Sequence, residues 1–286
     1  MPPKRVNPLQ FLSSTRLVVV AGKGGVGKTT VTAVLARAAF RQGLRVLAVD
    51  LDGKPTLGEL LPDQPTISIS AQAALAEYLD GHGLHRVAKR LRNSGVIDVV
   101  ANAAPGIDDI VVLGKLKQLE RSGDFDLILV DGPAAGHAVT LLMAPASLYS
   151  AVRGGPIRAQ AEEVAEMLAD HRRSQVCLVT LPEATPISEV LETAALLSNR
   201  VDVRLGPMVV NAVDRGPMLD ESAGGTGSPM SQAAAFTNER RAMHAAQISA
   251  LGDAWGDGRL IIPLVDGSAL GPEGIDALAE RLVDAR

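Results

Sequence analysis

A doubly wound α/β fold, with helices on both faces of a mainly parallel sheet and a helical cap over part of it, is what the sequence predicts. Three observations carry that expectation. Short apolar runs rich in Val, Leu and Ile recur along the chain, separated by Ala-rich stretches with helical spacing. The runs are near-continuously apolar, several ending in a polar residue, as strands buried on both faces require. The runs alternate with helices, the order that builds parallel sheets. The 286 residues are 47% hydrophobic but only 2% aromatic, so a large core is available and it is packed from aliphatic side chains.

Residues 1–14 read as an N-terminal tail and 15–286 as a single domain. Leu17-Val-Val-Val-Ala21 is the first strand and ends at a Gly-rich loop; Thr29 to Gln42 is the first long helix. Arg45-Val-Leu-Ala-Val-Asp50 and Phe125-Asp-Leu-Ile-Leu-Val-Asp131 follow as strands ending in Asp. Val176 to Thr180, Pro207 to Asn211 and Arg259 to Pro263 complete the set. The stretch from Asp52 to Asp131 is too long for one crossover, and Ala71 to Arg92 and Ile107 to Arg121 have helical spacing. Helical elaborations are therefore expected over about 64–123 and again over about 138–174. Residues 216–231 are rich in Gly, Ser and Pro and read as a mobile loop.

The chemistry begins at Gly22-Lys-Gly-Gly-Val-Gly-Lys-Thr-Thr30, which contains GxxxxGK[ST]. Gly22, Gly24, Gly25 and Gly27, with Val26 between them, let successive backbone N–H groups face one anion, and the N-terminus of the helix that follows adds its positive dipole end. Lys28 can reach the outer phosphates of a nucleoside triphosphate, Thr29 can ligate Mg²⁺, and Thr30 continues the cradle. The same residues spell GxGxxG, with Asp50 a little over 20 residues beyond, which is also the pattern of a dinucleotide site. Lys-Thr directly after the last Gly serves a triphosphate and is idle in a dinucleotide site. ATP with Mg²⁺ in a P-loop NTPase fold is accordingly the expectation.

Lys23, next to the first Gly, makes the loop KGGxGKTT, which resembles the deviant Walker A class shared by MinD, ParA, the nitrogenase iron protein and the arsenite-pump ATPases. The resemblance implies that Lys23 reaches the phosphates of an opposite subunit. Asp131-Gly-Pro-Ala-Ala-Gly-His137, with Leu141-Leu142, is similar to the second switch of the ArsA and tail-anchored-protein-targeting ATPases. Val179-Thr-Leu-Pro-Glu-Ala-Thr-Pro-Ile-Ser-Glu189 and Val209-Val-Asn211 are similar to later segments of that family. By this resemblance Asp52 positions the attacking water, Asp50 lies near the Mg²⁺ shell and Asp131 holds Mg²⁺ through water. Asn211 is implied to read the adenine edge, with Pro263 and Leu264 flanking the base, and His137 is implied in a structural hydrogen bond within the switch. The segments Ala104 to Lys115 and Arg153 to Gln160 resemble the paired ArsA-like ATPases of actinobacteria, which implies either a homodimer or a heterodimer with a paralogous ATPase, and a protein client.

Composition bounds the alternatives. Lys and Arg number 28 against 32 Asp and Glu, a net charge of −4, so no nucleic-acid partner is expected. Cys177 is the only cysteine, which excludes a zinc-clasping CxxC or an arsenite-binding cysteine triad within the chain, and its apolar setting makes it a small core residue. No apolar stretch is long enough to span a bilayer and the first residues lack a signal-peptide core, so a cytoplasmic protein without stable membrane insertion is expected. Two other readings stay open: a MinD/ParA-like positioning ATPase, and a non-catalytic subunit of a heterodimer.

Overall fold

The apolar runs pair into one seven-stranded sheet in which every described pair is parallel. The computed structural model describes residues 8–81, 83, 85, 106–225, 227–255, 258–265 and 270–284. The strands are β1 (Leu17–Gly22), β2 (Val46–Asp50), β3 (Thr66–Ser68), β4 (Leu127–Ala134), β5 (Ser174–Thr180), β6 (Met208–Val213) and β7 (Arg259–Pro263), in the spatial order β3-β2-β4-β1-β5-β6-β7. All of β1 and β5 is buried, so their polar backbones are satisfied by neighbours on both sides and their side chains by helices on both faces. Alternation still sorts the residues. Leu17, Val19 and Ala21 join one core, while Val18 and Val20 join the other.

The helices are α1 (Pro8–Ser13), α2 (Lys28–Arg41), α3 (Thr56–Leu60), α4 (Ala71–Gly81), α5 (Ile107–Ser122), α6 (Ala135–Ala151), α7 (Pro156–Ala169), α8 (Ala184–Arg200), α9 (Pro229–Trp255) and α10 (Pro272–Asp284). On one face α2 packs against the sheet and α10, burying Val31, Val34, Leu35, Ile275, Leu278 and Leu282. Arg37 of α2, only 6% exposed, pairs with Asp276 of α10 at 3.0 Å. On the other face lie α5, α6, α7 and α8, with Leu113, Leu116, Leu141, Val164 and Leu197 in the core.

Four sequence expectations meet particular structure here. Within the expected tail, α1 buries Phe11 and Leu12. The region 64–123 contains the edge strand β3 besides its helices, and the part of the expected helix beyond Gly81 lies largely outside the described residues. The Arg153–Gln160 segment is a joint: Pro156 opens α7, and Arg158 donates to the carbonyls of Tyr149 and Val152 at 2.6 and 2.9 Å while stacking 3.8 Å over the Tyr149 ring. This satisfies carbonyls that α6 leaves open at its end. Of the loop expected over 216–231, Pro229 to Ser231 already belong to α9, and Leu219 is clamped by Asn238 of that helix, whose Oδ1 accepts from the Leu219 N–H at 2.8 Å and whose Nδ2 donates to the Leu219 carbonyl at 3.0 Å.

Candidate functional site

In a parallel sheet the loops at the carboxyl ends of the strands share one edge, and every candidate residue falls there. β1 ends at Gly22, which lies so close to the Val179 carbonyl of β5 that a Cβ has no room. The chain then turns through Gly25 (φ 85°) and Gly27 (φ 84°), both left-handed, before entering α2 at Lys28. No side chain caps the N-terminus of α2, so its first N–H groups, with their partial positive charge, face the loop interior. Gly22, Gly24, Gly25, Val26, Gly27, Lys28, Thr29 and Thr30 thus form a loop and helix start that could cradle an anion.

Three contacts fix it. The Thr29 hydroxyl donates to Asp131 Oδ2 at 2.6 Å, joining the helix start to the end of β4. Lys28 Nζ donates to the Lys23 carbonyl at 3.3 Å, across the mouth of the loop. The buried Asn211 side chain donates from Nδ2 to the Val26 carbonyl at 2.9 Å. Asn211 therefore braces the loop, a role the sequence did not suggest for a residue expected at the adenine edge. The next residue, Ala212, has φ 55°, the one non-glycine in the left-handed region among the described residues, and β6 changes register against β7 there. Leu264 donates to the Val213 carbonyl at 3.0 Å, which brings Pro263 and Leu264 to the same corner.

Asp50 and Asp131 are register partners on adjacent strands. They are used differently. Asp50 accepts from the N–H groups of Asp52 and Lys54 at 3.1 and 2.9 Å and from the Ser68 hydroxyl at 3.3 Å, so it shapes the turn that carries Asp52. Asp131 has only Thr29 on Oδ2, while its buried Oδ1 has no hydrogen-bond partner among the described residues. Burial pushes the Asp131 carboxyl up from its ordinary value; the Thr29 hydrogen bond and Lys28 pull it down, and Asp50 and Asp52 push it up further. A buried, unpartnered carboxylate oxygen beside a hydroxyl is a hard-oxygen donor pair, which fits Mg²⁺.

The remaining candidates line the rim. Asp52 pairs with Lys54 at 3.1 Å, both exposed. Lys23 Nζ reaches Glu189 Oε1 on α8 at 2.6 Å, a partner 166 residues away that the sequence gave no means of assigning. His137 Nε2 lies 3.7 Å from Asp109 Oδ1 of α5, too long for a hydrogen bond, so the side chain faces the cap. Cys177 is fully buried, with its thiol pushed up to about 12 by burial, which matches a core role.

A family model described as anion-transporting ATPase matches residues 15–154, the span that holds the glycine loop, Asp50, Asp52, Asp131 and His137. The chain is 31% identical over 225 residues to the ATPase BagA of Mycobacterium tuberculosis, covering 70% of this chain and 66% of that protein. The chain belongs to the ArsA-type ATPase family. It is also 25% identical over 240 residues to the arsenical pump-driving ATPase of Escherichia coli, covering 72% of this chain and 41% of that one. Against the ATPase GET3A of Arabidopsis thaliana the identity is 29% over 153 residues, covering 52% and 43%. This ArsA-type chain thus spans about two thirds of the mycobacterial relative and less than half of the other two. Among its described residues no helix is long and apolar enough to cross a membrane.

Proposed function

We propose that this ArsA-type chain hydrolyses ATP with Mg²⁺ as a nucleotide-switched dimer, and that the switch drives handling of a protein client or partner in the cytoplasm. The observation that carries the reading is the Thr29–Asp131 contact beside Lys28 at the uncapped start of α2. It places a hydroxyl, a carboxylate with a spare buried oxygen and an ammonium around one anion cradle. Thr29 and Asp131 would hold Mg²⁺, with Asp50 fixing the turn behind them; when bound, the ion neutralises charge on the outer phosphates. Lys28 leaves the Lys23 carbonyl for the phosphates. Asp52, at the rim and half-exposed, orients the attacking water and accepts its proton. Lys23 adds positive charge from the second subunit, and closure of the two subunits excludes water from the site. The second subunit is another copy or a paralogue.

A MinD/ParA-like positioning role is less well supported. It needs a free amphipathic tail, whereas α10 spends Ile275, Leu278 and Leu282 on the core against α2. A non-catalytic subunit would have no use for Asp52 and Asp131 together.

Calorimetric ATP titrations with and without Mg²⁺, alongside phosphate release, test the reading. Lys28→Ala is expected to lose ATP binding. Asp52→Asn is expected to bind ATP as the wild type does and to turn over about 100-fold more slowly. Absence of Mg²⁺-dependent binding in the wild type, or wild-type turnover by Asp52→Asn, would overturn it.

A further inference from the structure

The two lysines of the glycine loop are held in different ways. Lys28 stays within the loop, on the Lys23 carbonyl. The Lys23 side chain instead leaves the loop and meets Glu189, on the second turn of α8, at 2.6 Å. Both side chains are about two-fifths exposed, 42% and 41%, so solvent screens the pair and it adds little to the stability of the fold. Glu189 is not needed by the core either: α8 buries Ile187, Val190, Thr193, Ala194 and Leu197. What the carboxylate does fix is the direction of the Lys23 ammonium.

We propose that Glu189 is the positioning residue for Lys23: it holds the ammonium within its own subunit until the triphosphate bound to a second subunit replaces it. The proposal rests on the reading that Lys23 acts across the dimer. One ammonium has three donors on a single nitrogen, and it cannot sit on Glu189 at 2.6 Å and also enter a neighbour's phosphates. A triphosphate carries several negative charges against the single charge of the carboxylate, so it wins the lysine. Glu189, already in contact with water, is then resolvated at small cost. Without triphosphate there is nothing to gain by breaking the pair. The Glu189 contact therefore opposes association and makes it depend on the nucleotide, acting on the assembly step and not on ATP binding to the subunit.

The test uses the full chain as wild type, Glu189→Gln and Glu189→Asp, each with and without Lys23→Ala. Sedimentation velocity with ATP and Mg²⁺ gives the concentration at half-association, and ATP affinity is measured well below it. Amine labelling read by mass spectrometry reports the Lys23 ammonium directly. Glu189→Gln is expected to lower the half-association concentration about two- to five-fold, the range for releasing an exposed ion pair. Glu189→Asp should fall in between, ATP affinity should stay the same, and Lys23 should label faster in the Gln variant. An equal shift in the Lys23→Ala background would assign the effect to surface charge and overturn the proposal. So would an unchanged half-association concentration. If Lys23→Ala leaves association and turnover intact, the trans-lysine reading falls and takes the proposal with it. If Lys23→Ala impairs both while Glu189→Gln changes nothing, only the positioning role falls.

Discussion

Asp131→Asn should make the protein more stable and catalytically dead at the same time. Asp131 lies at the end of a buried strand, 6% exposed, with Asp50 directly beside it in register. One of its oxygens takes the Thr29 hydroxyl, and the other is buried without a hydrogen bond among the described residues. An asparagine keeps an oxygen for Thr29, removes the like charge next to Asp50, and removes the unpaired ionic oxygen. An unsatisfied buried polar group costs about 1–3 kcal/mol. Recovering about half of that, at roughly 2–4 °C per kcal/mol for a chain of this size, raises Tm by about 1–6 °C. The sign with pH follows from the direction of the shift. Burial raises the Asp131 carboxyl above its ordinary 3.8, so the native state binds the proton more tightly than the unfolded chain does. Wild-type stability therefore falls as pH rises from 3.8 through the native value and is level above it. The advantage of Asp131→Asn should accordingly be largest at neutral pH and shrink as pH is lowered toward 3.8. Differential scanning calorimetry from pH 4 to pH 8, without Mg²⁺, reads this out, and phosphate release is expected to drop about 100-fold or more. A lowered Tm at neutral pH, or activity near wild type, would refute the reasoning.

Other perturbations probe separate parts of the account. Asn211→Ala leaves the buried Val26 carbonyl without its donor, so a loss of about 1–3 kcal/mol in urea unfolding is expected, and ATP affinity should fall about tenfold because the loop is no longer held. Arg158→Ala removes the cap on α6 and the stacking on Tyr149, with an expected loss of about 1 kcal/mol and little change in ATP affinity. Asp214, held down to about 2 by Arg241 and Arg240, contributes stability that is present above 3.8 and is lost as pH falls toward 2. The Tm deficit of Asp214→Asn should therefore be full at pH 7 and vanish near pH 2 in a thermal melt series.

The central strands and the cradle were legible because their physics is local. A both-faces-buried strand such as β1 is apolar along its length, and a loop that turns left-handed at Gly25 and Gly27 favours glycine there. β3 was not legible: it is three residues, Thr66–Ser68, on the sheet edge, held by backbone pairing to β2 and with no apolar pattern. Composition likewise marks 216–231 as loop without showing that Asn238 clamps Leu219. At the site, residue types and chain order pointed to Lys28, Thr29 and Asp131, which the fold brings together. The Lys23–Glu189 pair and the Asn211 brace span 166 and 185 residues, and only the crossing of β5, α8 and β6 past the loop creates them. Ala212, strained at φ 55°, has no signature in sequence at all.

The proposed sharing of catalytic residues between subunits is tested most directly by mixing two variants expected to be inactive, Lys23→Ala and Asp52→Asn. In a mixed dimer the Lys23→Ala subunit keeps its own Asp52 and receives an intact Lys23 from its neighbour, so one of the two sites is whole. Random association then gives about a quarter of the wild-type rate from two proteins that are each inactive alone. Recovery to that level is the expected result. A mixture as inactive as its components, under conditions where the wild type turns over, would show that Lys23 serves its own site and would contradict the account.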